Sequence, residues 1–284
     1  MKRLLLIVLP LLLIFGCSKP LDDESLIDRG GVKYQQDSQK PYSGKVFRLY
    51  ESGEKEFEGS YKDGKEDGLW TEWDENGQKK EEGTYKDGKV EGIKTWWYEN
   101  GQKRSEVIYK DGVKDGLHTY WYENGQKERE ETFKDGRIDG LVTRWYETGQ
   151  KESEGTLRGS PWIEFTIPNG LWTSWYENGQ KESEGTYKDD ERDGLWTEWY
   201  ENGQKSSEGI YMDEERYGLW TWWYSNGDKS TEVTYGEGPI DEFTFKYFYS
   251  KNGQKLNGYT FKNGELISEK YYNEDGSVKE VIEY

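Results

Sequence analysis

The chain is short of cysteine, histidine, proline and positive charge. One cysteine among 284 residues excludes an intramolecular disulfide, so an exported fold would have to stand without one. One histidine, His118, with Cys17 committed elsewhere (below), leaves no Cys/His pair and no Ser-His-Asp relay to assemble. His118 itself is expected to face solvent or to be half-packed. Lysine and arginine number 39 against 57 acids, a formal net charge of −18, which argues against nucleic acid and against electrostatic attachment to anionic lipid. No stretch long enough for a good helix is free of a glycine turn, and no glycine loop joins a strand to a helix in the manner of a phosphate cradle.

What is abundant is repetition. GLWTEWDENGQKKEEGTYKDGKVE, residues 68–91, is one copy of a 24-residue unit, with close copies starting at Gly44, Gly92, Gly116, Gly140, Gly170, Gly194 and Gly218. The step is 24 residues except between Gly140 and Gly170, where it is 30, and two degenerate copies follow at Asn252-Gly253 and Asp275-Gly276. Each unit holds two short alternating runs, 69–75 and 79–86 in this copy, rich in Trp, Tyr and Thr, which suit a pleated surface. Asn76-Gly77 between them and Asp87-Gly88 after them are both read as two-residue hairpin turns with positive φ at both central positions. The expected fold is all-β: an elongated, single-layer antiparallel meander of about ten hairpins.

Alternation places Leu69, Thr71 and Trp73 on one face and Trp70, Glu72 and Asp74 (Tyr in the following units) on the other. A two-residue turn at Asn76-Gly77 sets Trp70 opposite Gly83 and Tyr85 opposite Gly68, so that large rings cover bare backbone. A three-residue turn with a bulge would slip the second strand by one residue and exchange its faces.

Before the array, Lys2 and Arg3 precede an apolar run, 4–15, that is too short to span a bilayer and ends in Ile14-Phe15-Gly16-Cys17. That ending resembles a bacterial lipobox, with Cys17 as the acylated first mature residue (palmitate among its chains). Residues 1–16 are therefore expected as a lipoprotein signal peptide, 17–25 as a lipidated N-terminus and flexible tether, 26–43 as an N-terminal cap, and 44–284 as the array. An insertion at 157–169, carrying Pro161 and Pro168, is expected to interrupt it as a loop or irregular strand pair. Ser18, rather than Asp, after the cysteine resembles an outer-membrane sorting signal.

Thirteen of the fourteen tryptophans fall in first strands, seven of them at the Trp73 position. That regularity reads as a packing ladder, with a ligand box as the alternative. Two departures single out a candidate binding surface. Trp172, Trp196 and Trp220 run consecutively where the middle units carry Lys94, His118 and Val142, and Trp162 stands alone in the insertion; Tyr176 and Tyr200 accompany them. Rings spaced one per hairpin, roughly 10 Å apart, match the length of a disaccharide. Aspartates flanking successive turns, such as Asp63 and Asp67, match no calcium-loop spacing and are read as solvated, so neither metal nor cofactor is expected.

EGTYKDGKVEG, 82–92, resembles the MORN repeat, and the GLWTEWYENGQK form is similar to its bacterial variant, found in secreted lipoproteins and in a family described as YwqK-like antitoxins. The resemblance implies a scaffold with no shared catalytic motif. The expectations that follow are a non-enzymatic, lipid-anchored protein of the bacterial envelope that binds a protein partner; a glycan-binding envelope module using the aromatic ladder; or an antitoxin-like binder that sequesters a protein.

Overall fold

The computed structural model describes residues 19–159, 166–236 and 243–284. It divides into two units, Met1–Val90 and Glu91–Tyr284. In the first, the hairpin Gly44–Leu49/Lys55–Lys62 is followed by Gly68–Trp73/Lys79–Lys86, all antiparallel. In the second, strands from Lys103–Lys110 to Val278–Glu283 each pair antiparallel with the next in sequence. The helical element among the described residues is one 3-10 turn, Asp23–Ser25. Each unit is thus the expected all-β meander of hairpins.

Part of the stretch expected as a flexible tether, 17–25, is structured. Leu21–Asp22 pairs in parallel with Gly44–Leu49, Leu21 beside Val46, and Asp23 is buried. Its carboxylate accepts from Arg48 at 2.9 Å and from the Tyr61 hydroxyl at 3.0 Å, with Lys33 at 3.6 Å. Three partners offset the cost of desolvating the charge. Burial, together with the Asp23 carboxylate, pushes the Tyr61 phenol well up. The composition of this stretch is acidic and polar, and nothing in it announces a partner 25 residues away.

The Asn-Gly turn differs from expectation while the register agrees. Asp74 N donates to Gln78 O (2.8 Å) and Gly77 N to Asp74 O (2.9 Å), which closes a three-residue loop in which only Gly77 takes positive φ (78°). That loop alone would slip the second strand. A second irregularity between Glu72 and Trp73 leaves Lys80 unpaired and restores the pairing, so Trp70 faces Gly83 and Gly68 faces Tyr85 as predicted. Asparagine is selected for its side chain instead. Asn100 Oδ1 accepts from Gln102 N (2.9 Å) while its Nδ2 donates to Glu123 O of the next turn (2.8 Å), and Asn124, Asn178 and Asn202 repeat the bridge. The Asp-Gly turns are two-residue turns as read: Asp111 and Gly112 have φ of 52° and 84°, and Lys110 pairs with Val113.

The described ends of the insertion, 157–159 and 166–169, extend the strand ladder rather than breaking it. Leu157 pairs with Pro168, Arg158 with Ile167 and Gly159 with Thr166, continuing the ladder beyond its usual end.

The two faces are covered unequally. On the Thr71 face, threonines at 71, 95, 119, 143, 173, 197 and 221 are buried. Thr143 donates to Glu154 (3.1 Å), Lys151 pairs with the same carboxylate (2.6 Å), and that lysine lies over the Trp175 ring of the following hairpin (5.6 Å). Lys103, Lys127 and Lys181 do likewise over Trp121, Trp145 and Trp199. The leucines of this face are not covered: Leu69 is 57% exposed, and Leu117, Leu141, Leu171, Leu195 and Leu219 are exposed in the same way. Seven consecutive units place Leu or Ile at this position.

Candidate functional site

The Trp70 face holds the aromatic column. In the second unit it runs Trp172–Tyr187–Trp196–Tyr211–Trp220–Trp222, with ring centroids successively 6.5, 5.1, 6.2, 4.8 and 5.7 Å apart, the first four contacts edge-to-face. Each tryptophan leans back over the glycine of the preceding hairpin, not the glycine it pairs with in its own. A Cβ on Gly155 would stand 1.9 Å from the Trp172 ring, one on Gly185 2.1 Å from Trp196, and one on Gly209 2.2 Å from Trp220. Trp196 and Trp220 donate Nε1–H to Thr186 O (3.1 Å) and Ile210 O (2.9 Å), so the indoles bury no unmet donor. Arg216 covers Trp220 and Trp222 at 4.7 and 5.1 Å.

The candidate residues therefore divide. Trp196 (6% exposed) and Trp220 (2%) are closed off beneath their neighbours and offer no face to a sugar, and Trp172 is half-buried. Tyr176 and Tyr200 are struts, donating to Trp199 O and Trp223 O of the next hairpin, both at 2.8 Å. Tyr98, Tyr122 and Tyr146 do the same one hairpin at a time. Trp162 and Cys17 lie outside the described residues.

Sequence reasoning passed over a different place. Trp222 takes a position held by Glu72, Trp96, Tyr120, Arg144, Ser174 and Glu198 in other hairpins, and Phe248 follows it in the same column. Both flank Thr231, which pairs with Trp222 on one side and Phe248 on the other. Between them lies an open groove of about 540 Å³, lined also by Ser206, Ser230, Val233, Tyr235 and Lys246.

Where the column lacks tryptophan, its neighbours change with it. His118 pairs with Val107 and Glu131, and Val142 with Glu131 and Gly155. His118 is 2% exposed, not solvent-facing, and stacks on Tyr120 (4.0 Å) and Phe133 (5.6 Å). Neither ring nitrogen has a hydrogen-bond partner. Burial, with Lys114 and Arg129 nearby, lowers its pKa from 6.5 to about 4. Glu131, also buried, is held by Arg129 at 3.3 Å. Among the described residues no three His, Cys, Asp or Glu side chains gather as metal ligands.

The model of the MORN repeat variant matches residues 66–87, 90–111, 114–135, 138–158, 168–189, 192–213 and 216–236, more than half of the chain. No curated protein matches it. Solved structures that align with it include the crystal structure of TcdB2-TccC3-Cdc42 (11% identity, TM-score 0.19, covering 89% of this chain and 16% of that one). The crystal structure of TcdB2-TccC3 aligns at 9% identity with a TM-score of 0.21, over 89% and 17%. The chain spans about a sixth of those chains, and likeness at such TM-scores carries no argument.

The buried histidine gives the second unit an acid sensitivity. Its folded pKa, about 4, lies below the unfolded value of 6.5, so the unfolded chain takes up the proton first as pH falls. The stability is complete above pH 6.5 and lost progressively towards pH 4, by roughly 2–3 kcal/mol. His118→Val, which copies Val142, is expected to abolish that component in urea titrations between pH 7 and 4. A difference between wild type and variant that stays constant across this range would contradict it.

Proposed function

The chain belongs to the MORN repeat variant family, and from that premise we propose that it is a non-enzymatic scaffold, lipid-anchored to the bacterial envelope through Cys17, whose hairpin array holds a protein partner. The observation that carries the scaffold reading is the row of exposed leucines. About half of each of these side chains is left uncovered by its own sheet, yet Ile93, Leu117, Leu141, Leu171, Leu195 and Leu219 recur in consecutive units. Regular exposed apolar surface of this kind marks interaction sites. The row repeats once per hairpin, roughly every 10 Å, and sits beside threonines already saturated by glutamate, so an apolar partner face loses no hydrogen bond by covering it.

The anchor reading rests on the sequence: a basic start, a short apolar run and the cysteine at its end. Several acyl chains, at about 0.8 kcal/mol per methylene, hold a protein on a bilayer, and Ser18 favours the outer membrane where there are two. The carboxylates repeat with the unit instead of forming one distinctive pair, which supports a role without catalysis.

Two measurements test this. Cys17→Ser should leave the membrane fraction or accumulate as an unprocessed precursor; a variant that fractionates and migrates as the parent does contradicts the anchor. Leu141→Arg combined with Leu195→Arg should abolish crosslinking to the envelope partner captured by the wild type, with the melting temperature within about 2 °C, since surface changes of this kind cost little stability. Crosslinking that survives the double variant contradicts the scaffold face.

A further inference from the structure

Seven hairpins close on the same three-residue loop, in which an asparagine precedes the glycine: Asn76-Gly77, Asn252-Gly253 and five between them, at Asn100, Asn124, Asn178, Asn202 and Asn226. Their backbones are alike. The glycine φ lies between 78° and 91° in all seven, and each glycine N–H donates to the carbonyl three residues before it, at 2.8 or 2.9 Å. All seven asparagines are exposed. Their side chains are not held alike. In the five, Nδ2 donates to a carbonyl of the next turn, and Oδ1 accepts from the backbone N–H two residues on.

The residue that opens the loop decides this. In the five it is a tyrosine, whose hydroxyl is engaged by a carbonyl of the next hairpin. The backbone N–H past the glycine is then left for the asparagine to accept. In the other two loops Asp74 and Ser250 stand in the tyrosine's place. Gln78 N donates to Asp74 Oδ1 at 2.9 Å, and Gln254 N donates to Ser250 Oγ at 3.2 Å. The short polar side chain takes the donor that would have anchored the asparagine. Among the described residues the Asn76 side chain makes no hydrogen bond, and Asn252 keeps only the Ser250 hydroxyl on its Oδ1.

We propose that Asn76 and Asn252 are sites of spontaneous deamidation, and that the asparagine ladder shields the other five. The nitrogen of Gly77 attacks Cγ of Asn76, where no Cβ on the glycine obstructs it. The new N–C bond forms as the Cγ–Nδ2 bond breaks, and ammonia leaves with the proton that the glycine nitrogen gives up. Water then opens the succinimide at either carbonyl, giving aspartate or isoaspartate, and no other reactant is needed. Gly253 and Asn252 react in the same way. Turning Cγ onto the glycine nitrogen breaks two side-chain hydrogen bonds in a bridged loop, one at Asn252 and none at Asn76. At typical net hydrogen-bond strengths the bridged asparagines react about thirtyfold more slowly than Asn76 and about fivefold more slowly than Asn252. The remaining Asn-Gly pairs have other backbones: Asn169 and Asn257 lie within strands, and Asn263 has a φ of 51°. This inference is independent of what the array binds.

The test is incubation of the folded chain at mildly alkaline pH, with peptide mapping by mass spectrometry to follow each asparagine of the seven loops. Asn76 is expected to convert first and Asn252 next, with the five bridged asparagines in the same digest as internal references. Equal rates at all seven, or a bridged asparagine converting before Asn76, overturns the proposal. In urea, where the loops are lost, the seven rates should converge. A difference that persists there belongs to the local sequence and also overturns it. Ser250→Tyr, which restores the tyrosine, should slow Asn252 to the rate of Asn226 and leave Asn76 unchanged. An Asn252 rate unmoved by Ser250→Tyr overturns the role given to the residue that opens the loop.

Discussion

An indole ring lying on bare backbone is the contact on which the rest of this structure depends. A sheet one layer thick has no second layer to bury its face against, so its core must be made within the sheet by side chains large enough to lie flat along it. Tryptophan can do this only where the strand beneath offers no Cβ. Gly59 lies under Trp70, Gly155 under Trp172, Gly185 under Trp196 and Gly209 under Trp220. Where the underlying residue has a side chain the tryptophan is gone: Val107 meets His118, Glu131 meets Val142 and Val233 meets Lys246. Each ring so placed removes on the order of 200 Å² from water, worth about 5 kcal/mol before entropy is counted. Tyr187 and Tyr211 then meet the indoles edge-on, closing the gaps between hairpins.

The opposite face solves a different problem. It carries charge throughout, and its order comes from a chain of small dependencies: threonine to glutamate, glutamate to lysine, lysine to the tryptophan of the next hairpin. Exposed ion pairs contribute little singly, about 0–1 kcal/mol. Here each lysine also lies over a ring and so links one hairpin to the next. With asparagine bridging the turns and tyrosine donating to the next strand, three ladders bind neighbouring hairpins in most repeats. The leucines alone serve none of these contacts, and they are what the array displays.

Much of this was legible in the sequence. The period and the hairpins follow from alternation and turn residues alone, and the register of Trp70 against Gly83 agrees although the turn that implied it differs. The Asn-Gly loop was not, because the same dipeptide serves a two-residue turn and a three-residue loop, and a compensating unpaired residue at Lys80 leaves the register unchanged. The replacement of tryptophan by Lys94, His118 and Val142 was visible as a departure, but its cause sits about eleven residues earlier, at Val107 and Glu131 for the last two; Gly83 and Lys94 fall in different units. Reading the column without the residue beneath it made buried indoles look like a binding ladder. Asp23 could not have been anticipated, since its partners Arg48 and Tyr61 come together only through a parallel pairing that no local pattern encodes.

The account rests on volume shared between a glycine and the ring of the next hairpin, and a double-mutant cycle at Gly185 and Trp196 measures it directly. Gly185 has no left-handed backbone requirement, so alanine is tolerated by the chain itself, and its Cβ would stand 2.1 Å from the indole. Gly185→Ala alone should destabilise the second unit by about 2–4 kcal/mol in urea titration. In the background of Trp196→Val, copying Val142, the same change should cost less than about 0.5 kcal/mol, giving a coupling of roughly 2 kcal/mol or more. Additive effects, or a Gly185→Ala variant as stable as the parent, would contradict the claim that bare backbone beneath the ring holds this sheet together.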